Sequence, residues 1–101
     1  MEPKEYIKLL KKLKNRYKGI KLIAIVGSAA RGEMRETSDI DILYKIEDTF
    51  LYEVDPLHFF TYLNEIKKDI EGELGKKVDL IDVTTLNSIS KKYMLKDKID
   101  V

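Results

Sequence analysis

The 101-residue chain has no cysteine and no tryptophan, only two prolines, five glycines and a single histidine. Without cysteine there can be no disulfide framework and no thiol chemistry, which suits an intracellular protein. The longest apolar run, residues 22–26, is far too short to span a bilayer. The N-terminus carries no apolar signal-peptide core, so a cytoplasmic location is expected. A lone histidine excludes any multi-histidine metal site, and His58 reads as a surface or packing residue in a first helical turn. Charge of one sign is also lacking: 19 basic and 18 acidic residues give a net charge of +1, so bulk charge does not point to a nucleic-acid binder.

What the chain has is a mixture of 44% hydrophobic and 37% charged residues, enough for one core under a highly charged surface. A single domain over residues 1–101 is expected. Its charges are unevenly spread, with seven lysines and Arg16 against only Glu5 in residues 4–21. Tyr6, Leu10, Leu13 and Tyr17 recur at helical steps there, predicting an amphipathic helix to about Lys18, ended by Gly19, with its lysines in solvent. Residues 20–26 are apolar and rich in β-branched side chains, as in a strand buried on both faces. Gly27 stops that strand, and Ser28 is suited to cap a short helix over Ala29, Ala30 and Arg31 that Gly32 terminates. A strand running into a helix N-terminus presents N–H groups to an anion, and Gly27 has no side chain to hold a phosphate away.

In residues 39–46, Ile40, Ile42, Tyr44 and Ile46 alternate with Asp39 and Asp41. Two carboxylates two residues apart share one strand face about 6.7 Å apart. At an effective dielectric near 20 they repel by roughly 2–3 kcal/mol, which a bound cation would offset and open solvent would screen. After a polar and aromatic loop over residues 47–55, Asp55 and Pro56 start a long helix. Phe59, Leu63, Ile66, Ile70 and Leu74 form its core face and Gly75 closes it. Residues 78–83 form another strand containing two acids, Asp79 and Asp82. Either is a candidate third carboxylate, because parity puts them on opposite faces without saying which face holds the site. A short helix over residues 86–95 and a short final strand over 99–101 complete the expectation.

Gly27-Ser28, ten residues, then Asp39-Ile40-Asp41, set in strand–turn–helix–strand context, resembles the signature of the DNA polymerase β-type nucleotidyltransferase superfamily. Gly27-Ser28-Ala29-Ala30-Arg31-Gly32-Glu33, with Ser38-Asp39-Ile40-Asp41-Ile42-Leu43 and later Val78-Asp79-Leu80, is most similar to the minimal nucleotidyltransferases. These are single-domain proteins usually paired with HEPN-domain proteins. The resemblance implies an α/β (α+β) palm-like fold, a mixed β-sheet with helices packed on one side. It implies that Asp39, Asp41 and Asp79 are the catalytic carboxylates and hold Mg²⁺ as two ions, and it prefers Asp79 to Asp82. Gly27, Ser28 and Arg31 would bind the nucleotide phosphates. The implied activity is transfer of AMP from ATP onto a tyrosine hydroxyl of a HEPN ribonuclease toxin, for which the protein would be the antitoxin. A small-molecule or RNA hydroxyl as acceptor, and a non-catalytic toxin-binding module, are the competing expectations.

Overall fold

The computed structural model describes residues 3–33, 35, 37–51 and 54–101. Met34 and Glu36 of the glycine-to-aspartate stretch, and Tyr52 and Glu53 of the expected loop, lie outside them. The elements run α1 (Pro3–Leu13), β1 (Ile20–Val26), α2 (Gly27–Ala30), β2 (Ile40–Ile46), α3 (Asp48–Leu51), α4 (Pro56–Leu74), β3 (Val78–Asp82), a 3₁₀ turn (Val83–Thr85), α5 (Ser88–Lys96) and β4 (Ile99–Asp100). The sheet order is β3-β2-β1-β4. β1 is antiparallel to both β2 and β4, whereas β2 and β3 are parallel. The sheet is therefore mixed, as expected, and the long α4 supplies the crossover that a parallel pair requires.

Two faces of the sheet are built differently. On one, Tyr6, Leu10 and Leu13 of α1 and Ile66, Ile70 and Leu74 of α4 bury against Ile20, Leu22, Ile25, Ile40, Ile42 and Tyr44. This is the expected packing of helices on one side, and it holds most of the core. The other face has a smaller cluster, Ala24, Val26 and Leu43, against which Ile81, Leu86, Met94 and Leu95 pack. The short α5 thus adds cover to the second face. A β-bulge between Leu22 and Ala24 sorts β1 between the two clusters. Strict alternation from Leu22 would send Val26 toward α1 and α4. The extra residue instead leaves Ile25 there and turns Val26 to the opposite face, beside its partner Asp41.

The structure corrects three local expectations. α1 ends at Leu13 rather than near Lys18. The periodicity persisted because Tyr17 still packs on the core from a turn, with its hydroxyl donating to Asp69 of α4 at 2.5 Å. The expected loop over 47–55 contains α3, whose Phe50 is buried against Phe59 and Tyr62. Ser28 does not cap α2: the helix begins one residue earlier, Val26 occupies the cap position, and no side-chain cap bond forms. Elsewhere the chain signals hold. Asp55 accepts from His58 N at 3.0 Å to cap α4, Pro56 opens it, and Gly75 closes it in the left-handed region. His58 is exposed beside Asp55, as its surface reading required. Among the described residues no helix is long and apolar enough to cross a membrane.

Candidate active site

Antiparallel pairing puts the C-terminal end of β1 beside the N-terminal end of β2, and parallel pairing puts the N-terminal end of β3 there too. Three sequence-distant segments therefore meet at one end of the sheet. Val26 pairs with Asp41, and Asp41 stands in register with Asp79. Adjacent strands lie about 4.8 Å apart, and register partners share a face, so Asp41 and Asp79 are lateral neighbours. Asp39 lies two residues before Asp41, just outside β2, where Ile40 N donates to Lys77 O at 2.9 Å. A turn closed by Ser38 N to Arg35 O, 3.0 Å, leads the chain into it.

Register also separates the two acids of β3. Asp82 pairs with Tyr44 on the strand's other parity. It accepts from Thr84 N at 2.9 Å and Thr84 Oγ1 at 2.7 Å, capping the 3₁₀ turn. Asp82 is thus occupied in local structure, whereas Asp79 faces the same side as Asp41.

Gly27 has φ +71°, a conformation that side-chain-bearing residues rarely adopt. A Cβ built on it would stand 2.5 Å from Asp41 Oδ2. The glycine therefore lets the Asp41 carboxylate approach the backbone at the start of α2. With no side-chain cap on α2, its first turn keeps its polar end open for another acceptor. Arg31 follows that turn, and its Nε lies 3.0 Å from Glu33 Oε2.

The electrostatics converge on Asp41. Burial pushes its carboxyl above the ordinary range, the neighbouring Asp79 and then Asp39 push it further, and Arg31 opposes them. Asp41 thus senses each of the other candidate groups that carries charge. Three carboxylates are the oxygen donors that a hard divalent cation takes, and Mg²⁺ needs only a few of them alongside substrate phosphates. Among the described residues, however, no three acidic or histidine side chains stand close enough to form a ready metal cluster. The backbone spacings, one strand separation and one same-face step, are within reach of rotating carboxylates. The donor chemistry fits the cation, with side-chain rotation needed to gather it.

Two concavities adjoin this end of the sheet. One of about 170 Å³ is lined by Val26, Gly27, Arg31 and Asp41, and by Tyr93, Met94 and Asp97 from α5 and its end. The other, about 570 Å³, is lined by Thr37, Ser38, Asp39, Gly75, Lys76 and Lys77. The structure thus brings Gly27, Arg31 and Asp41 into one cavity with Asp79 next in register, while Asp39 opens onto the neighbouring recess and Ser28 lines neither. Sequence reasoning does not single out Tyr93, Met94 or Asp97. Nothing in their sequence spacing marks them, because only the seating of α5 across the second sheet face brings them here.

Comparison with known proteins adds an independent line. Residues 7–100 match the model of the nucleotidyltransferase domain family. A Methanocaldococcus jannaschii protein provisionally named as a protein adenylyltransferase is 48% identical over 89 residues, covering 87% of this chain and 90% of that one. The protein adenylyltransferase MntA of Thermococcus cleftensis is 36% identical over 91 residues, 90% of this chain and 83% of MntA. Among solved structures, one provisionally described as a minimal nucleotidyltransferase superposes with a TM-score of 0.70 at 24% identity, over 100% of this chain and 97% of its own. Another, from a complex of a tri-AMPylated Shewanella oneidensis HEPN toxin with its MNT antitoxin, gives a TM-score of 0.61 at 21% identity, over 99% and 71%. At these identities the two solved structures speak to the fold.

Proposed function

The chain belongs to the nucleotidyltransferase domain family, as a minimal nucleotidyltransferase, and from that premise we propose that it transfers AMP from ATP onto a tyrosine hydroxyl of a HEPN ribonuclease partner, in the cytoplasm, as that toxin's antitoxin. One observation carries the reading: Gly27, Asp41 and Asp79 meet at one end of the sheet, with the glycine held bare against the Asp41 carboxylate. The adenylyltransferase names of the relatives support the reaction, and the HEPN toxin complex of a fold neighbour supports the partner.

In the proposed reaction the acceptor oxygen attacks the α-phosphorus of ATP. A new P–O bond forms, the bond to the bridging oxygen breaks, and pyrophosphate leaves. Gly27 and Ser28 would admit the phosphates against the open first turn of α2, and Arg31 would add positive charge beside them. Asp39, Asp41 and Asp79 would hold Mg²⁺. The bound cation would supply neutralisation of charge building on the triphosphate. Asp79, the most exposed of the three, would take the hydroxyl proton as the acceptor attacks.

The test is incubation with α-labelled ATP, Mg²⁺ and the cognate HEPN protein, beside Asp39→Asn and Asp41→Asn variants. The expected result is label on the HEPN protein with wild type only. Equal labelling with wild type and variants, or none, would overturn the catalytic reading. Toxin neutralised without label would make the chain a binding module, and label appearing on RNA or a small molecule instead would move the acceptor class.

A further inference from the structure

Four large apolar side chains among the described residues are strongly exposed, and two of them, Ile89 and Tyr93, sit one helical turn apart on α5 at 69% and 75% exposure. Their helix is seated through other side chains, since Met94 and Leu95, both partly buried, pack on the sheet. Ile89 and Tyr93 line a recess of about 540 Å³ together with Ser88, Lys92 and Lys96. Tyr93 also lines the 170 Å³ cavity that contains Gly27, Arg31 and Asp41. Tyr93 therefore borders both spaces.

Size decides what can occupy them. The cavity at Gly27 and Asp41 is smaller than the roughly 300–1,000 Å³ usual for a whole small-molecule ligand. A nucleotide with phosphates there has to extend outward, and of Tyr93, Met94 and Asp97 on the α5 side of the cavity it is Tyr93 that also lines a space of sufficient volume. That space matches a nucleobase in chemistry as well. Tyrosine offers a flat face for stacking, and Ile89 prolongs the apolar shelf. Lys92 and Lys96 supply donors for ring nitrogens, which are acceptors, and among the described residues the recess lining includes no carboxylate.

We propose that Tyr93 is a nucleotide-binding residue, the platform on which the base of the bound nucleoside triphosphate stacks. The inference rests on the reading that the Gly27 and Asp41 end of the site receives the phosphates. It differs in depending on α5, which none of the carboxylates does.

The experiment compares calorimetric binding of ATP and of inorganic tripolyphosphate, both with Mg²⁺, to wild type, Tyr93→Phe and Tyr93→Ala, followed by transfer kinetics on the same proteins. Because Tyr93 is exposed, the variants are expected to fold, and circular dichroism checks it. For Tyr93→Ala, stacking on a single ring predicts loss of ATP affinity and a rise in its KM on the order of tenfold. The kcat should stay within about twofold, with tripolyphosphate binding unchanged and Tyr93→Phe like wild type. Three results would overturn the proposal: unchanged ATP binding in Tyr93→Ala, equal loss for ATP and tripolyphosphate, or a KM rise confined to the protein acceptor. If wild type binds neither ligand, the phosphate-site reading falls with it. If wild type binds and transfers while Tyr93→Ala matches it, only the base platform falls.

Discussion

Replacing Asp41 by asparagine tests the idea that this residue is placed for charge rather than for the fold. The substitution keeps the side chain's shape and removes one negative charge. In the native protein that charge faces Asp79 across the strand and Asp39 along it, with Arg31 as partial compensation. Two unit charges about 6.7 Å apart repel by about 2.5 kcal/mol at an effective dielectric of 20 and about 0.6 kcal/mol in bulk water. Asp41 is only partly buried and Arg31 opposes its neighbours, so the net relief falls toward the lower figure, about 1 kcal/mol. For a domain of this length that is a melting-temperature rise of roughly 4–8 °C.

The sign of the pH dependence follows from the direction of the shift. The Asp41 carboxyl is raised above its ordinary value of 3.8, so its charged form is disfavoured by folding. That penalty is present in full above the raised value and is gone below 3.8. The Asp41→Asn advantage should therefore be seen at pH 7 and fade as the pH falls through that window. It should also shrink in 1 M salt, where the Debye length is about 3 Å. Adding Mg²⁺ should raise the melting temperature of wild type more than that of the variant, since a ligand of the native state stabilises it. The assay is thermal unfolding by circular dichroism across pH, salt and Mg²⁺. A variant melting several degrees below wild type at pH 7, with no Mg²⁺ difference between them, would refute the reasoning and make Asp41 a structural residue.

Gly27→Ala should destabilise by about 2 kcal/mol or more, since a side chain in the left-handed region alone costs about 1–2 kcal/mol and the new methyl also meets Asp41 Oδ2. Denaturant unfolding measures the loss, and nucleotide transfer should vanish even where the protein remains folded. Asp82→Ala should cost about 1 kcal/mol through loss of the cap on Thr84, with transfer unaffected. A folded Asp82→Ala protein without transfer would mean that the register argument chose the wrong acid.

Much of the fold was legible because its signals are local. The cap, first-turn proline and closing glycine of α4 are read from adjacent residues, and its apolar steps from one helical period. Errors arose where two arrangements share a pattern. Tyr17 fits the helical spacing of α1 yet sits in a turn, anchored by Asp69 and flanked by Arg16, whose Nη1 reaches the same carboxylate at 3.2 Å. Ser28 is a good cap by type, but helix α2 starts at Gly27, and residue type does not reveal which of two neighbours leaves helical geometry first. Phe50 looked like a loop aromatic because a four-residue helix is too short to show a period.

By itself, the sequence determined the four strands, the long α4, the glycine–serine turn and the four acids from which a site could be drawn, since these depend on neighbours a few residues apart. Tertiary structure alone decided which of Asp79 and Asp82 stands with Asp41, because that is set by strand register. It alone turned Val26 to the face that carries Asp41 and Asp79, through a bulge hidden among residues that are apolar at either parity. It alone showed why Gly27 has to be glycine, through a carboxylate arriving from another strand, and it alone placed Tyr93 at the cavity. Each of these is a contact between segments far apart in the chain, and such contacts leave no periodicity to read.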